Sequence, residues 1–228
     1  MINSGGLTML MSHTLPDPSL YDVSDLDEWT SIQALLEKRI SHYHNELGTK
    51  FAAHHMRVAA DGLGFLMHLG YSMATCLNIK SALLIHDIGK THDDYDPAIW
   101  SLPNRPTEEQ RAEKRLHTKR GVEILNQAVE NLEIAKHPHI DLCRAIILYH
   151  HERLNGSLYE NRTDLPEWLQ AVGIVDTFDG DRVKHPHQPS RRTPQETIER
   201  MMADKGDGEK YDGAFDHNLL EKFAEYKL

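Results

Sequence analysis

The stretch Ile85-His86-Asp87-Ile88-Gly89-Lys90 closes the apolar segment 81–88 with two adjacent polar side chains. Burying a polar group without a partner costs roughly 2–7 kcal/mol, so both side chains need partners. One interpretation is a hydrogen-bonded core pair at a helix end. The other is a metal site, since a carboxylate can bridge two cations while a neutral imidazole ligates one of them. Residues elsewhere in the chain must decide between the two.

Composition favours a globular protein with one main domain. The chain has 228 residues, 39% hydrophobic and 26% charged, which is enough for one substantial core. No apolar run approaches the ~18 residues of a transmembrane helix, so no membrane association is expected. Residues 1–17 have neither a basic segment nor an apolar one typical of a secretory signal, and a cytoplasmic location is expected. We predict a lead-in and helix over 1–48 and the main domain over 49–228.

Charge and cysteine content exclude several kinds of site. A net charge of −10 argues against binding a long nucleic acid, which requires a basic face. A small phosphate ligand is still compatible with it, because bound cations can reverse the field inside one cleft. Cys76 and Cys143 have no Cys-x-x-Cys spacing, so neither a disulfide framework nor a thiolate zinc site is indicated. Both are predicted to be small core residues.

Hydrophobic periodicity predicts an all-α fold with no strand. The first helix is expected to end at Gly48, and Thr107 with Gln110 forms a capping box for a later helix. The first helix either covers the domain or pairs with a second subunit, so a homodimer stays open. The predicted helices are 25–47, 49–69, 75–86, one that starts at 107, 141–151, 166–178, 194–203 and 216–226.

Polar positions recur about every thirty residues on these successive helices, and an antiparallel bundle can bring them together. A single interior histidine is usually a hydrogen-bonded core residue. Seven nitrogen and oxygen donors in this pattern are instead typical of two octahedral cations that share a water. The sequence therefore predicts two divalent metal ions. Their predicted ligands are His54, His86, Asp87, His117, His150, His151 and Asp176.

From residue 49 to the C-terminus the chain resembles the HD-GYP domain, a branch of the HD-domain metal-dependent phosphohydrolases. The tandem histidines after the His-Asp helix are the specific part of this resemblance. The motifs that carry it are His54-His55-Met56-Arg57-Val58, His86-Asp87-Ile88-Gly89-Lys90, His117 with Gly121 and Leu125, His150-His151-Glu152-Arg153-Leu154-Asn155-Gly156-Ser157, and Val175-Asp176-Thr177-Phe178-Asp179 with Asp181-Arg182.

The resemblance implies a phosphodiesterase that hydrolyses a cyclic dinucleotide, most often cyclic di-GMP. Asp87 would bridge two ions, iron or manganese, and a hydroxide between them would attack the phosphate. The resemblance distributes the ligands as His54, His86, Asp87 and Asp176 on one ion, and Asp87, His117, His150 and His151 on the other.

Further residues acquire roles through the same resemblance. Lys90 would grip a phosphate oxygen and act with Asp87 in catalysis. Arg182 and Tyr159 would contact the substrate. Glu152 and Asp179 would have a supporting or structural role and orient the imidazoles and the helix ends.

Other positions depart from the family pattern or stay secondary. The sequence Leu158-Tyr159-Glu160 replaces Gly-Tyr-Pro in the loop expected to shape the substrate mouth. Lys50 stands where three-metal members have an acidic residue, which favours two metals, and His185 replaces a second arginine. His55 points about 100° from His54 on a helix and is a secondary ligand candidate. The segments 137–139 and 185–187 contain proline and are predicted to be solvated loops.

Two alternatives to a cyclic dinucleotide phosphodiesterase stay open. The changed loop is compatible with an HD phosphohydrolase that acts on another nucleotide or phosphate ester. A catalytically silent module that binds a nucleotide or a separate signalling partner is the other alternative, although it would be expected to lose ligands that this chain retains.

Overall fold

The computed structural model describes residues 14–44, 46–156, 159–183, 190–203 and 211–228, and within them the chain is helical with no strand. This confirms the predicted all-α class. In the same ranges every helix is too short or too polar to cross a bilayer. The α-helices are α1 Asp27–His42, α2 Glu46–His68, α3 Met73–Leu83, α4 Glu108–Arg115, α5 His117–Val129, α6 Pro138–Tyr149, α7 Glu167–Arg182, α8 Pro194–Met202 and α9 His217–Lys227.

One hydrophobic core joins these helices. It is built on α2, α3, α6 and α7, whose side chains Phe65, Ile79, Ile146 and Val175 are completely buried. The predicted N-terminal helix, α1, contributes to the same core, and so it covers the domain. Its buried residues are Trp29, Ile32, Leu36 and Ile40. Cys76 and Cys143 are buried free thiols, as predicted.

The end of the first helix was predicted wrongly. α1 ends at His42, and Gly48 lies inside α2. His44, with φ of 41°, makes the left-handed turn that we had assigned to a glycine. A Cβ on Gly48 would lie 2.6 Å from the carbonyl oxygen of Tyr43, so glycine is required here for close approach of two helices.

Both tandem polar pairs lie just beyond a helix, where the prediction had placed them at its end. α3 stops at Leu83, and a 3₁₀ turn, Ile88–Thr91, follows the His86-Asp87 pair. α6 stops at Tyr149, before the pair His150-His151. Adjacent side chains diverge by about 100° on an α-helix, whereas a turn can aim both at one point. The capping box of Thr107 and Gln110 is present as predicted.

The prediction of a solvated loop over 137–139 is wrong for His139. Pro138 is the first residue of α6, a position that proline favours, and this carries His139 into the core, where it is completely buried. Its Nδ1 lies 3.2 Å from the Tyr21 hydroxyl, and its Nε2 lies 3.4 Å from Ser81 Oγ and 3.5 Å from Cys143 Sγ. The similar segment 185–187 is outside the described residues.

This burial predicts a pH-dependent stability. Burial lowers the pKa of His139 to about 3. A histidine in the unfolded chain titrates near 6.5, so below that pH the unfolded state binds more protons and the free energy of unfolding falls. The His139 contribution is complete above pH 6.5 and declines toward pH 3, by up to about 1.4 kcal/mol per pH unit.

Glutamine keeps a hydrogen-bonding side chain but does not titrate. We therefore expect the free energy of unfolding of His139→Gln to fall less steeply below pH 6.5 than that of the wild type. Urea unfolding of both proteins at pH 6.5, 5.5 and 4.5 measures the difference, and the other titrating groups are common to the two. Parallel pH dependences would contradict the assignment of a neutral buried His139.

Candidate metal centre

The first of two ligand clusters joins α2 to the turn after α3. His54, His86 and Asp87 each offer one ligand atom, and these atoms lie within 4.8 Å of one another. His54 Nε2 is 3.5 Å from Asp87 Oδ2, and His86 Nε2 is 3.6 Å from the same oxygen. The adjacent pair His86 and Asp87 is therefore joined by a third donor, His54, from another helix.

The second cluster uses the other oxygen of the same carboxylate. Asp87, His117, His150 and His151 form a second group of donors within 4.8 Å. His117 Nε2 lies 3.0 Å and His150 Nε2 lies 3.5 Å from Asp87 Oδ1. Since Oδ2 faces the first cluster and Oδ1 the second, Asp87 has the geometry of a bridging ligand.

Asp176, on α7, lies against both clusters. Its Oδ1 is 3.2 Å from His54 Nε2 and 3.5 Å from His86 Nε2. Its Oδ2 is 3.5 Å from His151 Nδ1. The structure thus brings all seven predicted ligands together, and Asp176 reaches further toward the second cluster than the resemblance implied.

Backbone carbonyls fix the imidazole orientation of three of the histidines. A ring that donates Nδ1–H to a carbonyl keeps Nε2 deprotonated and free to ligate a cation. The Nδ1 contacts are His86 to Leu83 O at 2.7 Å, His117 to Lys114 O at 2.7 Å, and His150 to Ile146 O at 2.9 Å.

The unsatisfied atoms in the centre test whether a cation fits. The Nε2 atoms of His86, His117 and His150 and the Oδ1 of Asp87 are buried and have no hydrogen-bond partner in the described part of the chain. Four such atoms converging in one place would be costly in a protein core. Divalent cations held by the two clusters would satisfy all four, and an imidazole–carboxylate donor set suits iron or manganese.

Charge states in the centre match this use. Burial lowers the pKa of His117 and His151, which keeps both imidazoles neutral as ligation requires. Burial opposes ionisation of Asp87, but Lys90 and the neighbouring imidazoles outweigh it and hold the pKa of that carboxyl well below its usual range. Asp176 is likewise buried, and the neighbouring imidazoles of His54, His86 and His151 outweigh burial and hold the pKa of its carboxyl well below the usual range.

His54 differs from the other histidines. Burial alone would lower its pKa, but hydrogen bonds to Asp176, Asp179 and Asp87 raise it well above the usual value. Ligation through His54 Nε2 requires the loss of a proton, and the raised pKa opposes that loss. Metal affinity is consequently expected to fall as the pH falls.

Two residues support His54 from outside, and the sequence did not predict a role for one of them, Arg57. Asp179 Oδ2 lies 2.7 Å from His54 Nδ1, as expected for an orienting carboxylate. Arg57 donates two hydrogen bonds to Asp179, of 2.7 and 2.9 Å, and fixes it in turn. Arg57 is one helical turn after His54, and only the position of Asp179 in space shows its role.

The neighbouring His55 lies outside both clusters. It is 2% exposed and packs on the His86 ring at a centroid distance of 4.7 Å. Burial lowers the pKa of His55, and neither ring nitrogen has a hydrogen-bond partner among the described residues. The structure thus places His54 as the donor of the tandem pair.

The predicted substrate residues differ in how close they lie to the clusters. Lys90 donates a hydrogen bond to Asp87 Oδ2. Tyr159 stacks on His151 at a centroid distance of 4.8 Å. Arg182 packs on Phe178 at the end of α7, about 9 Å along the helix axis beyond Asp176, so the structure does not bring it against the ligands.

A buried carboxylate organises the loop that bears Tyr159. Glu152 is 3% exposed and accepts backbone N–H groups of Tyr159, Glu160 and Arg162 at 3.2, 2.8 and 2.7 Å. It therefore holds the loop, which is a structural role of the kind expected for it. Leu158, the first residue of the changed tripeptide, is outside the described residues.

Lys50 is exposed and pairs with Glu46 at 3.6 Å. It contributes no donor to either described cluster. The expectation of two metals rather than three, which this lysine favours, stays a prediction.

Comparison with known proteins identifies a family match that includes the whole centre. The family model described as "HD domain" matches residues 51–181, a range that contains all seven ligands. A curated relative is 3′3′-cGAMP-specific phosphodiesterase 2 of Vibrio cholerae serotype O1, 31% identical over 159 residues. The match covers 68% of this chain but 28% of that relative, so the chain spans less than a third of its length.

Solved structures show the same fold. The HD domain of the L. monocytogenes phosphodiesterase PgpH matches with a TM-score of 0.52 and 19% identity, covering 84% of this chain and 94% of that one. Its complex with cyclic-di-AMP matches with a TM-score of 0.51 and 19% identity, covering 84% and 92%. At this identity the likeness establishes the helical architecture.

Proposed function

The chain belongs to the HD domain family, and we propose that it is a metal-dependent phosphodiesterase whose substrate is a cyclic dinucleotide. The observation that carries this proposal is the shared carboxylate, since the two oxygens of Asp87 face two separate groups of histidines. A pair of divalent cations held there would lower the pKa of a bound water, so that hydroxide is available at neutral pH. The cations would also stabilise negative charge on a phosphate. Two ions bridged in this way suit phosphodiester hydrolysis better than a structural role.

Residues of the chain supply orientation and charge around that centre. Asp179 and the backbone carbonyls hold the imidazoles in place before substrate arrives, and such preorganisation lowers the cost of reaching the transition state. The Lys90 side chain is 20% exposed and has its ammonium beside Asp87, from where it can donate to a phosphate oxygen. Tyr159, stacked on His151, places an aromatic ring beside the second cluster.

The substrate class is supported by the relatives. Both are described as phosphodiesterases, one specific for 3′3′-cGAMP and one captured with cyclic-di-AMP. We keep cyclic di-GMP as the predicted substrate, since 3′3′-cGAMP shares one of its two guanine nucleotides. The iron or manganese identity and the number of two ions belong to the same proposal.

The test is product analysis over a substrate panel. Protein purified without oxygen and loaded with Mn²⁺ or Fe²⁺ would be incubated with cyclic di-GMP, 3′3′-cGAMP and cyclic di-AMP, with bis(p-nitrophenyl) phosphate as a simple phosphodiester. We expect a linear dinucleotide from at least one cyclic substrate, with cyclic di-GMP cleaved fastest.

Two outcomes would contradict the proposal. Hydrolysis of the simple ester with all cyclic dinucleotides intact would favour a phosphohydrolase for another phosphate ester. A fully metallated protein that cleaves nothing would favour a binding module.

A further inference from the structure

A second lysine lies beside the metal centre in a position that the motifs do not mark. Lys114, in the last turn of α4, has its ammonium 5.6 Å from the centre of the Trp100 ring. The Lys90 ammonium is 5.7 Å from the centre of the same ring. One indole therefore has two cations around it, at most about 11 Å apart.

The two cations differ in their partners. Lys90 is paired with Asp87, whereas Lys114 has no carboxylate within ion-pair distance in the described part of the chain. Lys114 is partly buried and lies on the same indole ring as Lys90. Placing an unpaired, partly desolvated cation beside another cation is unfavourable unless an anion binds there.

The position of Lys114 is fixed relative to the centre. Its carbonyl oxygen accepts the Nδ1–H of His117, and the Trp100 ring lies edge-on to His117 at 6.2 Å. Tyr95 contacts the Trp100 ring at 5.0 Å and donates to Glu113 O at 3.0 Å, which ties this loop to α4. The Lys114 backbone and the Trp100 ring on which its ammonium lies are thus both fixed next to His117, a predicted metal ligand.

We propose that Lys114, with Trp100 as its wall, binds the second, non-reacting phosphate of a two-phosphate substrate, while Lys90 serves the reacting phosphate. This inference rests on the proposed function and assigns a substrate-binding residue to it. A cyclic dinucleotide carries two phosphates, and the centre itself engages one of them. The protein has a net charge of −10, and the two lysines on the Trp100 ring form a local cationic site suited to the second phosphate.

The competing explanation is packing, in which Lys114 only covers the Trp100 ring through a cation–π contact. Packing predicts that removal of the lysine destabilises the protein. Phosphate binding predicts an unchanged or higher melting temperature without ligand, because an unfavourable charge is removed, together with weaker ligand binding.

The test compares two linear dinucleotides that differ by one phosphate. Calorimetric titration of the Mn²⁺-loaded protein would use phosphorothioate-linked GpG with and without a 5′-phosphate. We expect Lys114→Gln to weaken binding of the 5′-phosphorylated ligand by about tenfold or more and to leave the other within about twofold. Lys114→Arg should restore most of the affinity, and Lys136→Gln, which removes an exposed charge elsewhere, should change neither ligand.

Equal effects of Lys114→Gln on the two ligands, or a lowered melting temperature without any change in binding, would overturn the inference. Its failure is distinguishable from that of the proposed function. If no cyclic dinucleotide is cleaved but Lys114→Gln still discriminates between the two linear ligands, the phosphate site stands and the reaction must be reassigned. If cyclic substrates are cleaved and Lys114→Gln leaves their KM unchanged, the reaction stands and the phosphate site is rejected.

Discussion

Replacing Asp87 with asparagine is expected to release both metal ions and to lower phosphodiester turnover by about 10³-fold or more. Changing a residue that only orients a metal ligand lowers metal affinity about 10–100-fold. Asp87 is itself a predicted ligand and is shared by two clusters, so a larger effect is expected. Asparagine keeps the side-chain shape but loses the charge, so both clusters lose the anionic donor that they share. The measurement is elemental analysis of protein purified under anaerobic conditions, alongside turnover.

A matched control separates this effect from general loss of charge. Asp141→Asn makes the same chemical change at a carboxylate on α6 that pairs with Arg144 at 2.8 Å. We expect it to leave metal content and turnover unchanged. A wild-type protein that holds no metal after reconstitution, or an Asp87→Asn variant that keeps two ions, would refute the bridging assignment.

Substituting a ligand that belongs to only one cluster should lower the metal content less than Asp87→Asn does. His54 belongs to the first described cluster and His150 to the second. Substitution of either by alanine is expected to remove about one ion and leave the other, whereas Asp87→Asn removes both. The comparison uses metal content and does not depend on the identity of the substrate.

The sequence predicted the seven donors because metal ligation restricts residue type and because their regular spacing matched successive helices. It could not specify how the donors divide between two oxygens of Asp87, since that depends on the turn after α3. Placement in turns also explains how His150 and His151 both reach one cluster. A continuous helix would have separated them.

Residues in irregular segments were the least predictable from sequence. Trp100 lies in a short 3₁₀ helix, Pro97–Ser101, and its contacts with Lys90 and Lys114 join three segments that periodicity cannot relate. His139 was misassigned because a neighbouring proline was interpreted as a loop signal when it starts α6. In both cases tertiary packing, which has no local signature, determined the environment.

Gly89→Ala is expected to have the largest effect on stability. A Cβ on Gly89 would lie 1.8 Å from the carbonyl oxygen of His117 and 2.5 Å from the amide nitrogen of Gly121. Both are backbone atoms of α5, so no side-chain rotation can relieve the overlap. The 3₁₀ turn after Asp87 and the helix that carries His117 must separate, and we expect a loss of about 3 kcal/mol or more in the free energy of unfolding.

The same separation should weaken metal binding, since His117 Nε2 and Asp87 Oδ1 are 3.0 Å apart only while the two backbones touch. Gly180→Ala is the matched control, because a Cβ at this position on α7 meets nothing within 4 Å. An added methyl group in a helix is expected to be neutral or to stabilise by up to about 1 kcal/mol. Urea unfolding and metal content of the two variants decide the matter. The opposite result is that Gly89→Ala unfolds at the same urea concentration as the wild type and keeps its metal. That result would show that backbone contact between the turn and α5 does not hold the two clusters together.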